Sequence, residues 1–216
     1  MLTVARVACT MLWRPRFFGR EELPDGPYLL CPNHRSWFDP PLAALLVPRE
    51  IGFLAKSELF ANRLLGRLIW YLNARSIRRG VIDRLAERQI LQLLASGKPT
   101  LVFPEGTRSR TGRMQSPRPG VGRLARLASL PVVPVHIRGN YRLGRAVFRW
   151  RRVIVRAGAP IPASDVIAFS DDKEGYRALS RLIMERICAL SDDPARDLAD
   201  AFSAGYPQTR DGQPLE

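Results

Sequence analysis

The chain is short of acid, of lysine, of histidine and of cysteine. Of its 34 basic residues only Lys56, Lys98 and Lys173 are lysines, and they stand against 20 acidic residues. A GC-rich coding sequence explains arginine in place of lysine. It does not explain the excess of base over acid, which leaves a formal net charge of +14. Such a field favours an anionic partner: nucleic acid, an anionic bilayer or a phosphorylated small molecule. The three cysteines, Cys9, Cys31 and Cys188, are scattered and odd in number. They form neither a disulfide framework nor a zinc spacing, so no metal site is expected and a reducing, cytoplasmic-side location fits.

Long apolar runs are also missing, and none reaches the ~20 residues that span a bilayer. Residues 2–13 are apolar except for Thr3, Arg6 and Thr10, but a helix there covers only about 20 Å. A basic start and a small-residue cleavage site are lacking, which argues against a signal peptide. Trp13, Phe17 and Phe18 interleave with Arg14 and Arg16. That mixture suits the headgroup zone of a membrane, and equally a first helix packed on the core. The expected organisation is an apolar membrane-associating segment over 1–17, a folded domain over 18–190, and a polar, loosely held tail over 191–216.

What is present is enough apolar residue, 46% of the chain, for one domain with a sizeable core. Short apolar runs at 28–31, 51–55, 100–103, 132–137 and 153–157 read as strands. Between them, 42–47, 59–72, 81–96 and 121–128 read as helices, with Gly97 a stop signal. A further helix carries Tyr176, Leu179, Ile183, Ile187 and Leu190 on one face. Strands alternating with helices predict a single α/β domain with a mixed, mainly parallel central sheet flanked by helices. Residues 59–72, with Trp70 and Tyr71, suit the wall of an apolar channel or a membrane-dipping helix, and equally plain core.

Two segments carry chemistry. In Pro32-Asn33-His34-Arg35-Ser36-Trp37-Phe38-Asp39-Pro40 the histidine follows a buried strand and an aspartate comes five residues later. Five helical steps rotate a side chain by about 500°, so the two share no helix face. Pro32 and Pro40 discourage a continuous helix. A compact turn can therefore bring the Asp39 carboxylate to one imidazole nitrogen and leave the other for a proton from a hydroxyl. Asp before Pro also reads simply as a helix cap. The second segment is Leu101-Val102-Phe103-Pro104-Glu105-Gly106-Thr107-Arg108-Ser109-Arg110. Gly106 lets backbone amides approach a ligand closely. Arg108 and Arg110 present forks suited to phosphate oxygens, each such bond being worth roughly 1.5–3 kcal/mol when desolvated. A solvated basic hairpin is the plainer reading. Cys31 reads as a buried strand residue rather than a nucleophile, and His136, within an apolar strand, as a core residue.

Together the segments resemble the PlsC-like glycerophospholipid acyltransferases. That family's first motif is Asn-His, four residues, then Asp, matched by Asn33, His34 and Asp39 with Ser36 in place. Its third, Phe-Pro-Glu-Gly-Thr-Arg-Ser, is complete from Phe103 to Ser109. Lys56-Ser57-Glu58-Leu59-Phe60 matches an intervening stretch, and Val133-Pro134-Val135 a later one. Order and spacing agree over residues 18–160, two thirds of the chain. Two departures stand out: Arg78 before Arg79 where the second motif has an acid, and Pro117-Arg118-Pro119-Gly120 where an aromatic and lysine are usual. Both bear on acceptor identity more than on reaction type.

The resemblance implies that His34 is the general base and Asp39 its orienting partner. It implies a phosphate-binding turn of Glu105, Gly106, Thr107 and Arg108, with Lys56, Arg79 and Arg118 assisting and Glu105 ordering the loop or an arginine, since a bare carboxylate would repel phosphate. Hydroxyl attack on the thioester is direct, with acyl-CoA or acyl-ACP as co-substrate and no cofactor. A lysophospholipid acceptor, an anionic membrane surface as partner and a peripheral or monotopic place on the cytoplasmic face follow. No nucleic acid is expected, since no RNA-binding, zinc or helix-turn-helix pattern accompanies the charge. The competing class is a basic lipid- or nucleic-acid-binding protein without turnover.

Overall fold

The computed structural model describes residues 15–56, 74–77, 82–141 and 153–203. Its sheet has seven strands: β1 (Arg16–Phe18), β2 (Leu29–Pro32), β3 (Gly52–Lys56), β4 (Ala74–Ile77), β5 (Thr100–Leu101), β6 (Val132–Arg138) and β7 (Ile154–Ala157). The order is β1-β7-β6-β2-β5-β3-β4, and every pairing is parallel except β6 with β7. The helices are α1 (Asp39–Leu46), α2 (Ile82–Ala95), α3 (Pro119–Ala128), α4 (Ala163–Ala168), α5 (Lys173–Cys188) and α6 (Pro194–Phe202). The mixed, mainly parallel sheet is the one the alternating pattern predicts.

A strand buried on both faces cannot alternate polar with apolar, and β2 shows this, with Leu29, Leu30 and Cys31 all fully buried. Alternation instead assigns its side chains to two cores. Tyr28 and Leu30 join Val133, Val135 and Ile137 of β6 and Leu42 and Leu46 of α1 on one face. Leu29 and Cys31 join Val132, Ile90 and Leu94 of α2, Leu124 of α3, and Leu179, Ile183 and Ile187 of α5 on the other. Truncating a side chain as enclosed as Ile183 to alanine costs about 2–5 kcal/mol.

Helix limits follow local chemistry. Phe38 caps α1, so Asp39 is already inside the helix rather than its cap, and Pro40 and Pro41 occupy the first turn, where a missing N–H costs nothing. Gly97, at φ 80, ends α2 as its position suggests. α3 begins at Pro119, two residues before the apolar pattern becomes visible. The predicted strand over 100–103 is regular only at Thr100–Leu101, although the Val102 amide still bonds the Leu30 carbonyl at 2.9 Å.

Two expectations change. Arg16 and Phe17 belong to the sheet, as edge strand β1 beside β7, not to a separate N-terminal segment. The stretch after residue 190 is not a loose tail throughout, because 194–202 forms α6, with Ala201 fully buried. Glu105, read as the residue that orders the phosphate-binding turn, has both carboxylate oxygens committed to protein donors, the His34 amide and the Gln115 side chain. The helix expected over 59–72, the apolar segment over 2–13, Arg79 and the tail beyond residue 203 lie outside the described residues. Among the described residues no helix is long and apolar enough to cross a membrane.

Since β2, β3, β5 and β6 run parallel, their C-terminal ends open on one edge of the sheet. Ligands of open α/β sheets bind along that edge. The turn bearing His34, the turn bearing Arg108, and Asn140 all leave from it.

Candidate active site

The histidine turn is built by replacing ladder bonds with side-chain bonds. Beyond Pro32 the Asn33 side chain meets the backbone of Ile137 twice: Nδ2 donates to the carbonyl at 3.0 Å and Oδ1 accepts the amide at 2.7 Å. That clamp fixes where His34 leaves the sheet. Asp39 is fully buried, and its Oδ2 accepts from three groups: the Arg35 amide at 2.7 Å, the Ser36 amide at 2.6 Å and His34 Nδ1 at 2.9 Å. With two backbone donors already on Oδ2, the hydrogen shared with the ring sits on Nδ1. A neutral His34 therefore carries its lone pair on Nε2. Oδ1 accepts from Asn140 Nδ2. The carboxylate thus lies among the unsatisfied amides at a helix start, where its charge is favoured. The sequence argument for a compact turn joining His34 to Asp39 holds.

The second turn locks onto the first. The His34 amide donates to Glu105 Oε1 at 2.6 Å, and the Ser109 amide donates to the His34 carbonyl at 2.8 Å. Phe103 stacks on the imidazole, with ring centroids 3.9 Å apart at 19°. Glu105 Oε2 accepts from Gln115 Nε2 at 2.8 Å, and the same nitrogen donates to the Thr107 carbonyl at 2.9 Å. Burial pushes the Glu105 carboxyl up to about 7, against the pull of the His34 and Gln115 hydrogen bonds and the Arg35 charge. Glu105 therefore organises the turn rather than facing an anion.

Gly106 has φ 66, the left-handed region. A Cβ there would come within 2.6 Å of Arg118 Cδ, so the Arg118 side chain lies directly against the turn. The Arg118 amide bonds the Pro104 carbonyl at 2.9 Å. The Arg108 guanidinium sits 4.6 Å from the ring centre of Trp37, whose residue is 60% exposed. His34, Asp39, Glu105, Gly106, Thr107, Arg108 and Arg118 thus form one constellation. Lys56 closes β3 on the same sheet edge.

Sequence reasoning missed Asn140, Gln115, the stacking role of Phe103, and the pair Arg35–Asp197, at 2.8 Å. Only Phe103 carried a signal, as the first residue of its motif. Cys31 is enclosed, and burial pushes its thiol well above the ordinary range, which suits a packed residue and not a nucleophile. His136 is likewise buried, on β6.

An α/β sheet presenting an aspartate-held histidine beside an arginine-bearing turn on one edge is the arrangement of a group-transfer enzyme. The chain belongs to the Acyltransferase family, whose model matches residues 14–138. It is an acyltransferase of the 1-acylglycerol-3-phosphate O-acyltransferase kind. It is 28% identical over 191 residues to the 1-acyl-sn-glycerol-3-phosphate acyltransferase of Streptococcus pneumoniae, covering 85% of this chain and 70% of that one. Against the enzyme of that name from Bacillus subtilis the identity is 26%, covering 82% and 88%. A lyso-ornithine lipid O-acyltransferase of Pseudomonas aeruginosa is 38% identical over 143 residues, 64% of this chain and 52% of that one. Among solved structures, the 1-acyl-sn-glycerophosphate acyltransferase PlsC of Thermotoga maritima superposes with TM-score 0.66 at 28% identity, covering 88% of this chain and 77% of that one.

Proposed function

We propose that the protein transfers a fatty acyl group from an acyl thioester to the free hydroxyl of lysophosphatidic acid, in phospholipid biosynthesis. His34 Nε2 takes the hydroxyl proton as the oxygen attacks the thioester carbonyl. Asp39 stabilises the imidazolium that forms. The C–S bond breaks, the imidazolium returns the proton to the departing thiolate, and an ester and a thiol leave. No acyl-enzyme intervenes. Arg108 and Arg118 bind the acceptor phosphate, with Lys56 and Arg79 assisting and the Gly106 turn letting the backbone come close. The single observation that carries this reading is the 2.9 Å bond from His34 Nδ1 to a buried carboxylate, which directs Nε2 toward the proton.

The donor is acyl-CoA or acyl carrier protein, and both are anionic, as a net charge of +14 favours. No cofactor is needed, since the steps are proton transfer and acyl exchange. The enzyme works on the cytoplasmic face of the membrane, held peripherally or monotopically by its basic surface and apolar N-terminus. The 38% identity to the lyso-ornithine lipid enzyme supports a second acceptor with an ornithine head group.

The test mixes protein with acyl-CoA or acyl-ACP and with lysophosphatidate, glycerol 3-phosphate or lyso-ornithine lipid, and follows thiol release. Turnover is expected with lysophosphatidate and reduced roughly 10²–10⁴-fold in His34→Ala. Undiminished turnover in His34→Ala removes the base from its role. Salt-sensitive DNA binding with no turnover for any pair supports a binding protein instead.

A further inference from the structure

The buried pair Arg35–Asp197 ties the catalytic turn to a helix far outside the region matched by the family. Arg35 follows His34, and its amide is one of the three donors on Asp39 Oδ2. Its guanidinium runs the other way: Nη2 donates to Asp197 Oδ1 of α6 at 2.8 Å, with the two side chains only 14% and 11% exposed. The other Asp197 oxygen lies 3.3 Å from Nε2 of the buried His136. Burial alone would raise the Asp197 carboxyl, but the neighbouring His136 and Ser191 side chains and the Arg35 charge outweigh it and hold it down at about 2. α6 also reaches the other turn, because Ser116 Oγ donates to the Ala201 carbonyl at 2.7 Å and Arg113 lies 3.7 Å from Asp200.

We propose that Asp197 is a positioning residue for the His34 base: by holding the Arg35 guanidinium it sets the Arg35 peptide, and through that peptide the carboxylate on the imidazole. The inference rests on His34 being the base. Arg35 is the only residue whose backbone bonds the Asp39 carboxylate while its side chain bonds α6 among the described residues. An ångström of misplacement at a reacting group lowers rate by up to about 10²-fold. Releasing the guanidinium is thus expected to appear in kcat, because no acceptor or donor contact is removed. The segment after residue 190 is in this view part of the catalytic machinery's support.

The experiment measures kcat, KM for both substrates and thermal stability for Asp197→Ala, Asp197→Asn, Arg35→Ala and the Arg35→Ala/Asp197→Ala double variant, per mole of folded protein. His34→Ala is assayed beside them. Asp197→Ala is expected to lower kcat by about 10- to 100-fold with acceptor KM within about twofold of the parent. Asp197→Asn, which keeps an oxygen for Nη2, should restore most of that loss. Arg35→Ala should match Asp197→Ala, and the double variant should be no worse than either. Asp197→Ala leaves a buried guanidinium without its partner. If it does not fold, Arg35→Ala and Asp197→Asn carry the same comparison. Full kcat in Arg35→Ala, or a loss in Asp197→Ala that only tracks the unfolded fraction, overturns the inference. Full turnover in His34→Ala overturns the base assignment instead.

Discussion

The backbone amide of His34 donates to Oε1 of Glu105 across 2.6 Å. The two residues lie 71 positions apart, and this bond joins the motif that carries His34 and Asp39 to the motif that carries the arginines. Parallel pairing of β2 with β5 brings both chain ends to one edge, with Leu30 registered on Leu101. A buried carboxyl then completes the junction. Opposite sides of the sheet would have separated His34 from the arginine-bearing turn, and this pairing forbids that.

The junction has a titration signature. The Glu105 carboxyl rises from 4.5 to about 7 because burial disfavours its charge. An acid raised in the folded state holds a proton that the unfolded chain has already released. Its contribution to stability is therefore full below pH 4.5 and is lost as pH climbs through 7. Glu105→Gln cannot titrate. Melting temperatures from about pH 4 to about pH 8 should show the parent losing stability relative to Glu105→Gln across that window. Parallel curves would refute the assignment.

Asn140 is the least advertised member of the site. It donates to Asp39 Oδ1 from 101 residues away and is itself buried. Asn140→Ala should lower kcat by about 10-fold, since one of four donors is lost and the carboxylate can tilt off the imidazole. Asp39→Asn should be more severe, because Nδ2 of the new amide would face either the Asn140 donor or the backbone amides. Kinetics of both variants decide the order, and an Asn140→Ala enzyme with parental kcat removes Asn140 from the site.

Most of this arrangement was legible in the residues, and the gaps have physical reasons. Pro32 and Pro40 exclude a helix between His34 and Asp39, so the turn was legible. The alternation of apolar runs with amphipathic helices gave the sheet. Asn140 was illegible because its role depends on β6 lying beside β2, and a long-range pairing has no local mark. β1 is three residues, Arg16–Phe18, too short to show a period. α6 looks polar because Asp197 is buried against a charge partner, and the partner sits at Arg35, 162 residues earlier. That Glu105 orders its turn was legible, since a bare carboxylate would repel phosphate, but its partners His34 and Gln115 carry no local mark.

Cys31 separates direct attack from a covalent route. It stands three residues from His34, close enough in sequence to invite a thiol acyl carrier. Its side chain is enclosed between the sheet and the helices that cover it, and burial raises the thiol. The thiolate is the nucleophile, so such a thiol is inert. Cys31→Ala should keep kcat within about threefold of the parent, at some loss of stability from the small cavity. Protein quenched during turnover should carry no acyl thioester by mass spectrometry. Acylated Cys31 would replace the direct mechanism.

Arg108 and Trp37 supply a test of the acceptor grip. The guanidinium rests 4.6 Å from the indole centre at an exposed site, an interaction worth about 0.5–1 kcal/mol. A charge-assisted bond to a desolvated phosphate is worth about 1.5–3 kcal/mol. The phosphate bond is the stronger of the two, so a phosphorylated acceptor should draw Arg108 off the ring. In a variant with Trp13, Trp70 and Trp150 changed to Phe, Trp37 emission should shift on addition of lysophosphatidate, and Arg108→Ala should abolish the shift. Arg108→Ala should also raise KM for lysophosphatidate by about 10- to 100-fold while leaving kcat nearly unchanged, since the lost contact is made equally in ground and transition states. A fall in kcat at constant KM would instead place Arg108 against the developing charge at the thioester carbonyl.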